Sequence, residues 1–157
     1  MADNDGLPSA DQVAQVLGYV PQIEAYFRRG PAEMPPALGA LFAEHRMTAR
    51  HGGVLAQLAP SPPMRVTELA RRMGVSLSTA SELVGDLSRA AIVARREDPD
   101  NRRRTMVSIS EDWRAVVQGF VAQRSAPLLT VLDELSPRDL EGFARGLAAW
   151  AREVRHW

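Results

Sequence analysis

The chain has 157 residues, 45% hydrophobic and 24% charged, enough apolar material for one domain with a substantial core. It contains no cysteine, which excludes disulfides, thiolate metal sites, thiol nucleophiles and cysteine-based redox sensing. Nineteen basic residues balance nineteen acids, and every basic residue is an arginine.

The neutral total hides a gradient. Residues 1–45 carry two arginines and six acids; residues 46–104 carry eleven arginines and six acids; residues 105–157 carry six arginines and seven acids. The middle of the chain is basic and both ends are acidic, so nucleic acid is the natural partner of the middle. No run of about 18 apolar residues is present, so no membrane span is expected. The opening MADNDGLPSADQ is acidic and polar, unlike a secretory signal, and a cytoplasmic location is expected.

Residues 1–10 read as a flexible tail. From Asp11 on, Val13, Val16, Leu17, Val20, Ile23 and Phe27 recur at helical spacing, with a kink expected at Pro21. Arg29 to Pro36 is a Pro- and Gly-rich loop. Ala37 to His45 reads as a short helix through Leu38, Leu41 and Phe42. Thr48 to Leu58 reads as the next, with Thr48 as N-cap, and it stops before Pro60-Ser61-Pro62-Pro63.

Thr67 to Met73 follows as a helix packing through Leu69, Ala70 and Met73, closed by Gly74. Ser76 caps a second helix from Leu77 to Ala90. Its inward residues Ala80, Leu83, Val84 and Leu87 fall at i, i+3, i+4 and i+7. Two helices joined by a short Gly-containing turn are a helix-turn-helix pattern. Ile92 to Arg96 and Arg104 to Ser110 then read as strands, with Met64 to Val66 as a short third one. The charged stretch REDPDNRRRTMVS becomes a hairpin loop. Glu111 to about Leu135 forms a helix through Trp113, Val116, Val117, Phe120 and Val121, kinked at Pro127. Ser136 and Pro137 start the last helix, whose stripe Leu140, Phe143, Ala144, Leu147, Ala151 and Val154 is expected to be buried.

A helix about 10–12 Å across fits the DNA major groove. Ser76 at the head of this helix, with Ser78, Thr79, Ser81, Glu82 and Gly85 off its apolar face, makes the candidate DNA-reading set. Small hydroxyls permit close approach, and a glutamate accepts from a cytosine amino group. Arg95, Asn101, Arg102, Arg103 and Arg104 arm the hairpin, where guanidinium suits a narrow minor groove. At least one of Arg102, Arg103 and Arg104 is expected to reach DNA and at least one to brace the hairpin against Asp98 or Asp100. Each group also has a plainer reading, as a soluble helix surface and a salt-bridged turn.

The stretches TELARRMGVSLSTASELVGDLSRAAIVARRE and DPDNRRRTMVSIS, in this order and spacing with helices on both sides, resemble the MarR family of bacterial transcription regulators. The resemblance implies a mainly α fold with a small β-hairpin wing (α+β): a winged helix-turn-helix core over 48–110, flanked by dimerisation helices over 11–47 and 111–157. It implies a homodimer on a palindromic operator in double-stranded DNA, acting as a repressor released by a small effector. The apolar stripes of the outer helices exceed what a helix-turn-helix needs, and burial between two copies explains them. Family effectors are often phenolic. His45, Arg46, Arg50, His51 and Trp113 are the candidates here for holding a phenol or carboxylate. Read alone, Trp113 fits the core and the histidines fit partly exposed surface. Three positions depart from the family pattern: Asn101 where Asp is usual before the wing arginines, Glu82 where Arg is common, and Ala91 where Gly often ends the recognition helix.

His45, His51 and His156 form no metal-ligand motif, and neither metal nor cofactor is expected. No phosphate loop, nucleophile elbow or dinucleotide fingerprint appears, so no enzyme is expected. The competing reading is a winged helix that contacts another protein instead of DNA.

Overall fold

The computed structural model describes residues 7–98 and 100–154. Residues 1–6, 99 and 155–157 lie outside the described residues, as do the side chains of Arg102 and Arg103. Most of the expected tail, His156 and two wing arginine side chains are therefore not placed.

The centre of the molecule is three helices on a small sheet. Helix α3 (Ala49–Leu58) leads to strand β1 (Met64–Arg65), α4 (Val66–Met73), α5 (Leu77–Arg89) and the ribbon of β2 (Val93–Asp98) and β3 (Asn101–Ile109). Both strand pairings are antiparallel, and β3 lies between β1 and β2. Apolar positions from each element meet in one core: Val54, Leu55 and Leu58 from α3, Leu69 from α4, Leu83, Val84 and Leu87 from α5, and Val93, Val107 and Ile109 from the sheet. Each such side chain withdrawn from water contributes about 2 kcal/mol.

Local chemistry sets the boundaries. Ser76 begins α5 by accepting the Thr79 amide at 3.1 Å. Three helices end alike. In α2 (Pro36–Glu44), α4 and α5 the residue after the last turn is left-handed: Arg46 at φ 52°, Gly74 at 62° and Ala91 at 56°. The next amide then reaches back to the helix, Met47 to Phe42, Val75 to Ala70 and Ile92 to Leu87, at 2.8, 3.1 and 3.0 Å. This is the Schellman closure, and only one of the three uses the glycine that it favours.

The hairpin differs from its expected form. The pairing begins at Val93 rather than Ile92, and β3 starts at Asn101 rather than Arg104. The register passes from Glu97↔Thr105 to Asp98↔Asn101, so Arg102, Arg103 and Arg104 fall in the slip between them. Extra residues on one strand bend and twist a ribbon, a frequent way to re-aim side chains. Alternation alone misses it because the strand period breaks where the bulge begins.

The outer helices are α1 (Ala10–Arg28), α6 (Glu111–Glu134) and α7 (Pro137–Glu153), and a 3-10 turn at Gly30–Glu33 follows α1. Helical structure runs through both Pro21 and Pro127. Helix α1 is tied to α6 by a reciprocal pair. The Tyr26 hydroxyl donates to the Arg124 carbonyl at 2.7 Å, and the Arg124 guanidinium donates to the Tyr26 carbonyl at 2.6 Å. The same guanidinium lies 3.9 Å from the Tyr26 ring centroid, a cation–π contact. On α6, Val117 is fully buried while Trp113, Phe120 and Val121 pack part-buried against the core. The expected burial of the α7 stripe is not met within one chain: Leu140, Phe143, Leu147 and Val154 are exposed, and no residue of α1 or α7 is buried. None of the described helices is long and apolar enough to cross a membrane.

Candidate nucleic-acid interface

Helix α5 shows two opposite faces. Ala80, Val84 and Leu87 are fully buried, while Ser78, Ser81 and Glu82 are exposed. Thr79 and Gly85 are half-buried. Ser76, at the head of the helix, shares its hydroxyl three ways: it caps the Thr79 amide and lies 2.9 Å from both the Ser78 and Thr79 hydroxyls. The result is a small hydroxyl cluster at the positive end of α5, favourable ground for a phosphate or a base edge.

Arg95 sits away from the rest of the wing set. It leaves β2 and crosses to α5, donating to the Ser81 carbonyl at 3.4 Å. It lines an open groove with Ser81, Glu82, Gly85, Asp86, Ser88 and Arg89. Asn101 and Arg104 lie on the ribbon, Arg104 exposed. The roles assigned to Arg102 and Arg103 lie outside the described side chains.

Asp98, one of the two acids expected to brace the hairpin, is the acid used, but its described cation is Arg65 of β1, which the sequence did not point to. Asp98 is buried, and its carboxylate accepts the Asp100 amide at 3.0 Å and the Arg65 guanidinium of β1 at 3.2 Å. The Asp100 amide bond, then Arg65, holds this carboxyl below the usual carboxylate range against the opposing effect of burial; the Arg104 charge adds to the lowering. On α4, hydrogen bonds from Arg71 and Arg72 lower the Glu68 carboxyl to about 2. That cluster occupies three of the charges on the helix preceding α5.

His51 corrects another expectation. It is 6% exposed rather than partly exposed surface. Its Nδ1 accepts the Thr48 amide at 2.9 Å, completing the start of α3, and its Nε2 lies 3.0 Å from Asp86 Oδ2 on α5. An unprotonated Nδ1 places the proton on Nε2, which donates to the carboxylate. Asp86 also pairs with Arg89. A histidine three residues after a threonine cap does the work usually given to Glu or Gln, so the usual capping-box search passes over it.

The five effector candidates are dispersed. His51 is committed to the α3–α5 link, and Trp113 packs against the core. His45 and Arg46 are exposed at the end of α2, with Arg46 in the left-handed closure. Arg50 alone lines a groove beyond this link, with Thr48, Thr79 and Glu82 among its neighbours. Among the described residues no group of three or more acids and histidines could hold a metal ion.

Comparison with known proteins agrees with this architecture. Residues 46–104 match the model of the MarR family. Over 93 residues the chain is 26% identical to YfiV of Bacillus subtilis strain 168, an uncharacterised HTH-type transcriptional regulator; the match covers 59% of this chain and 58% of that protein. A MarR family protein from Bacillus stearothermophilus has the same fold at 21% identity and a TM-score of 0.56, with 95% of this chain and 99% of that one covered. A mutant of S. aureus MepR bound to an oligodeoxyribonucleotide is similar at 16% identity and a TM-score of 0.51, over 88% of this chain and 97% of that one. The stretch that matches the MarR family model, residues 46–104, coincides with most of the winged helix-turn-helix, and the fold is that of the MarR family structures.

Proposed function

We propose that this protein is a sequence-specific DNA-binding transcription regulator that works as a homodimer on a palindromic operator. It acts as a repressor, and a small phenolic or carboxylate molecule releases it. The observation that carries the reading is the two-faced α5: its back is sealed into the core while Ser78, Ser81 and Glu82 stand outward beside an arginine-bearing ribbon. A helix so mounted can turn its outer side chains to base edges, and a ribbon beside it can follow the backbone into the adjoining groove.

The dimer reading draws on the outer helices. Val16, Leu17, Ile23 and Phe27 on α1, and Leu140, Phe143 and Leu147 on α7, are large apolar side chains left open to water in one chain. Apolar surface on this scale marks an association site, and a second copy covers it by two-fold symmetry. In this reading residues 11–47 and 111–157 join the two copies, and residues 48–110 bind DNA. For the effector, Arg50 offers a cation beside the hydroxyls of Thr48 and Thr79.

Selection of bound duplexes from a randomised pool, followed by footprinting, tests this. The expected result is an inverted repeat whose half-site centres lie about 10 base pairs apart, or a multiple of that. Enrichment of no motif at low salt would favour the protein-contacting winged helix instead.

A further inference from the structure

We propose that Arg89 and Arg95 form a two-guanidinium seat over Gly85 that grips a single backbone phosphate of DNA; this rests on the DNA-binding reading above.

Gly85 leaves the middle of α5 bare. A Cβ built there would stand 3.4 Å from Arg89 Nη1 and 3.7 Å from Arg95 Nη2. Two cations from different elements, the last turn of α5 and strand β2, thus converge on one spot of the recognition face. Like charges at such range repel, so each needs an anchor. Arg89 is anchored by Asp86, and Asp86 is anchored by the buried His51. The Arg95 guanidinium is anchored by the Ser81 carbonyl through one long bond of 3.4 Å, its only side-chain hydrogen bond among the described residues. A guanidinium has five N–H donors, so most of those on Arg95 remain for a ligand.

Ser88 also lines this groove, with its hydroxyl oxygen turned away from solvent and without a hydrogen-bond partner among the described residues. Two planar forks around a shallow floor match the oxygens of a phosphate, which accepts bidentate bonds from arginine.

The electrostatics select the source of that phosphate. Glu82 and Asp86 line the groove as well, so two carboxylates offset the two arginines. A free phosphate ion meets little net attraction. A DNA phosphate is brought there by the rest of the interface and needs only local geometry.

The test is fluorescence anisotropy with the selected operator across a salt series, using the full chain, Arg89→Gln, Arg95→Gln and the double variant. Each single change is expected to weaken binding about tenfold and to lower the salt slope by about 1. The double variant is expected to lose little more, because one phosphate is lost only once. Losses that add, with a slope lower by about 2, would show two separate contacts and overturn the seat; unchanged affinity and slope would overturn it too. Gly85→Ala separates folding from contact: alanine favours the helix more than glycine does while its methyl fills the floor of the seat, so the unfolding midpoint should rise as affinity falls. A rise in both would contradict the seat. Inorganic phosphate at matched ionic strength is expected to displace no more DNA than chloride does; selective displacement from the unsubstituted chain would assign the seat to a free anion. Failure of the unsubstituted chain to bind any duplex would remove the DNA reading itself, and the seat with it.

Discussion

The Nε2 of His51 lies 3.0 Å from Oδ2 of Asp86, joining the first turn of α3 to the exposed face of α5. The other ring nitrogen accepts the Thr48 amide, so a single buried imidazole both starts one helix and orients another. The arrangement requires the Nε2–H tautomer. Long-range nitrogen–proton correlation spectra at neutral pH should show Nε2 as the protonated nitrogen; a protonated Nδ1 would rule out the hydrogen bond to Thr48.

Replacing the imidazole removes both bonds and leaves a void among buried neighbours. His51→Ala should cost about 2 kcal/mol of unfolding free energy. Urea titration checks it, and a change under about 0.5 kcal/mol would show that the link carries no stability.

Ala91 and Gly74 test backbone strain in opposite directions. Both close a helix in the left-handed region, at φ 56° and 62°. An L-residue with a Cβ incurs about 1–2 kcal/mol there and glycine does not. Ala91→Gly should therefore stabilise the protein by about 1 kcal/mol, and Gly74→Ala should destabilise it by a similar amount. Loss of stability in Ala91→Gly would mean that the methyl contributes more through packing than it loses in strain.

Asp98 gives the wing a pH dependence. Its folded carboxyl titrates below the ordinary range, chiefly through the Asp100 amide and then Arg65. A depressed carboxylate stabilises the fold above the unfolded value of about 3.9 and loses that contribution as pH falls through the lower folded value. Asp98→Asn should lower stability at neutral pH and flatten its decline in acid. Parallel unfolding curves for the two proteins between pH 7 and about pH 3 would exclude Asp98 as a contributor.

The exposed stripe of α7 makes the association prediction direct. Leu147 is 44% exposed in one chain, and a second copy would cover it. Leu147→Glu should shift light-scattering mass from two chains toward one and weaken operator binding. The core of α3, α4 and α5 should remain folded by circular dichroism. An unchanged dimer mass would place the interface elsewhere.

Much of this was legible in the sequence for identifiable reasons. Helices α4 and α5 announce themselves through strong amphipathic spacing, the Ser76 cap and Gly74. The third strand, Met64–Arg65, follows from its β-compatible residues before a helix. The bulged ribbon was not legible, because the strand alternation breaks at the slip at Glu97/Asp98, and the Arg65 partner of Asp98 comes from β1, 33 residues away. The His51–Asp86 link spans 35 residues and has no local signature. Arg95 reads as a wing residue by position, yet its length carries it onto α5. Periodicity shows which face of a helix is apolar, but not whether its own chain covers it, and the α7 stripe is left open.

The central claim is that α5 and its ribbon bind DNA in a sequence-specific way. The most direct measurement is anisotropy of the full chain with the duplex upstream of its own gene and with a scrambled duplex, at two salt concentrations. The account predicts tighter binding to the upstream duplex, with affinity falling steeply as salt rises. Equal, weak binding to both duplexes at low salt would contradict it and turn attention to a protein partner for the same face.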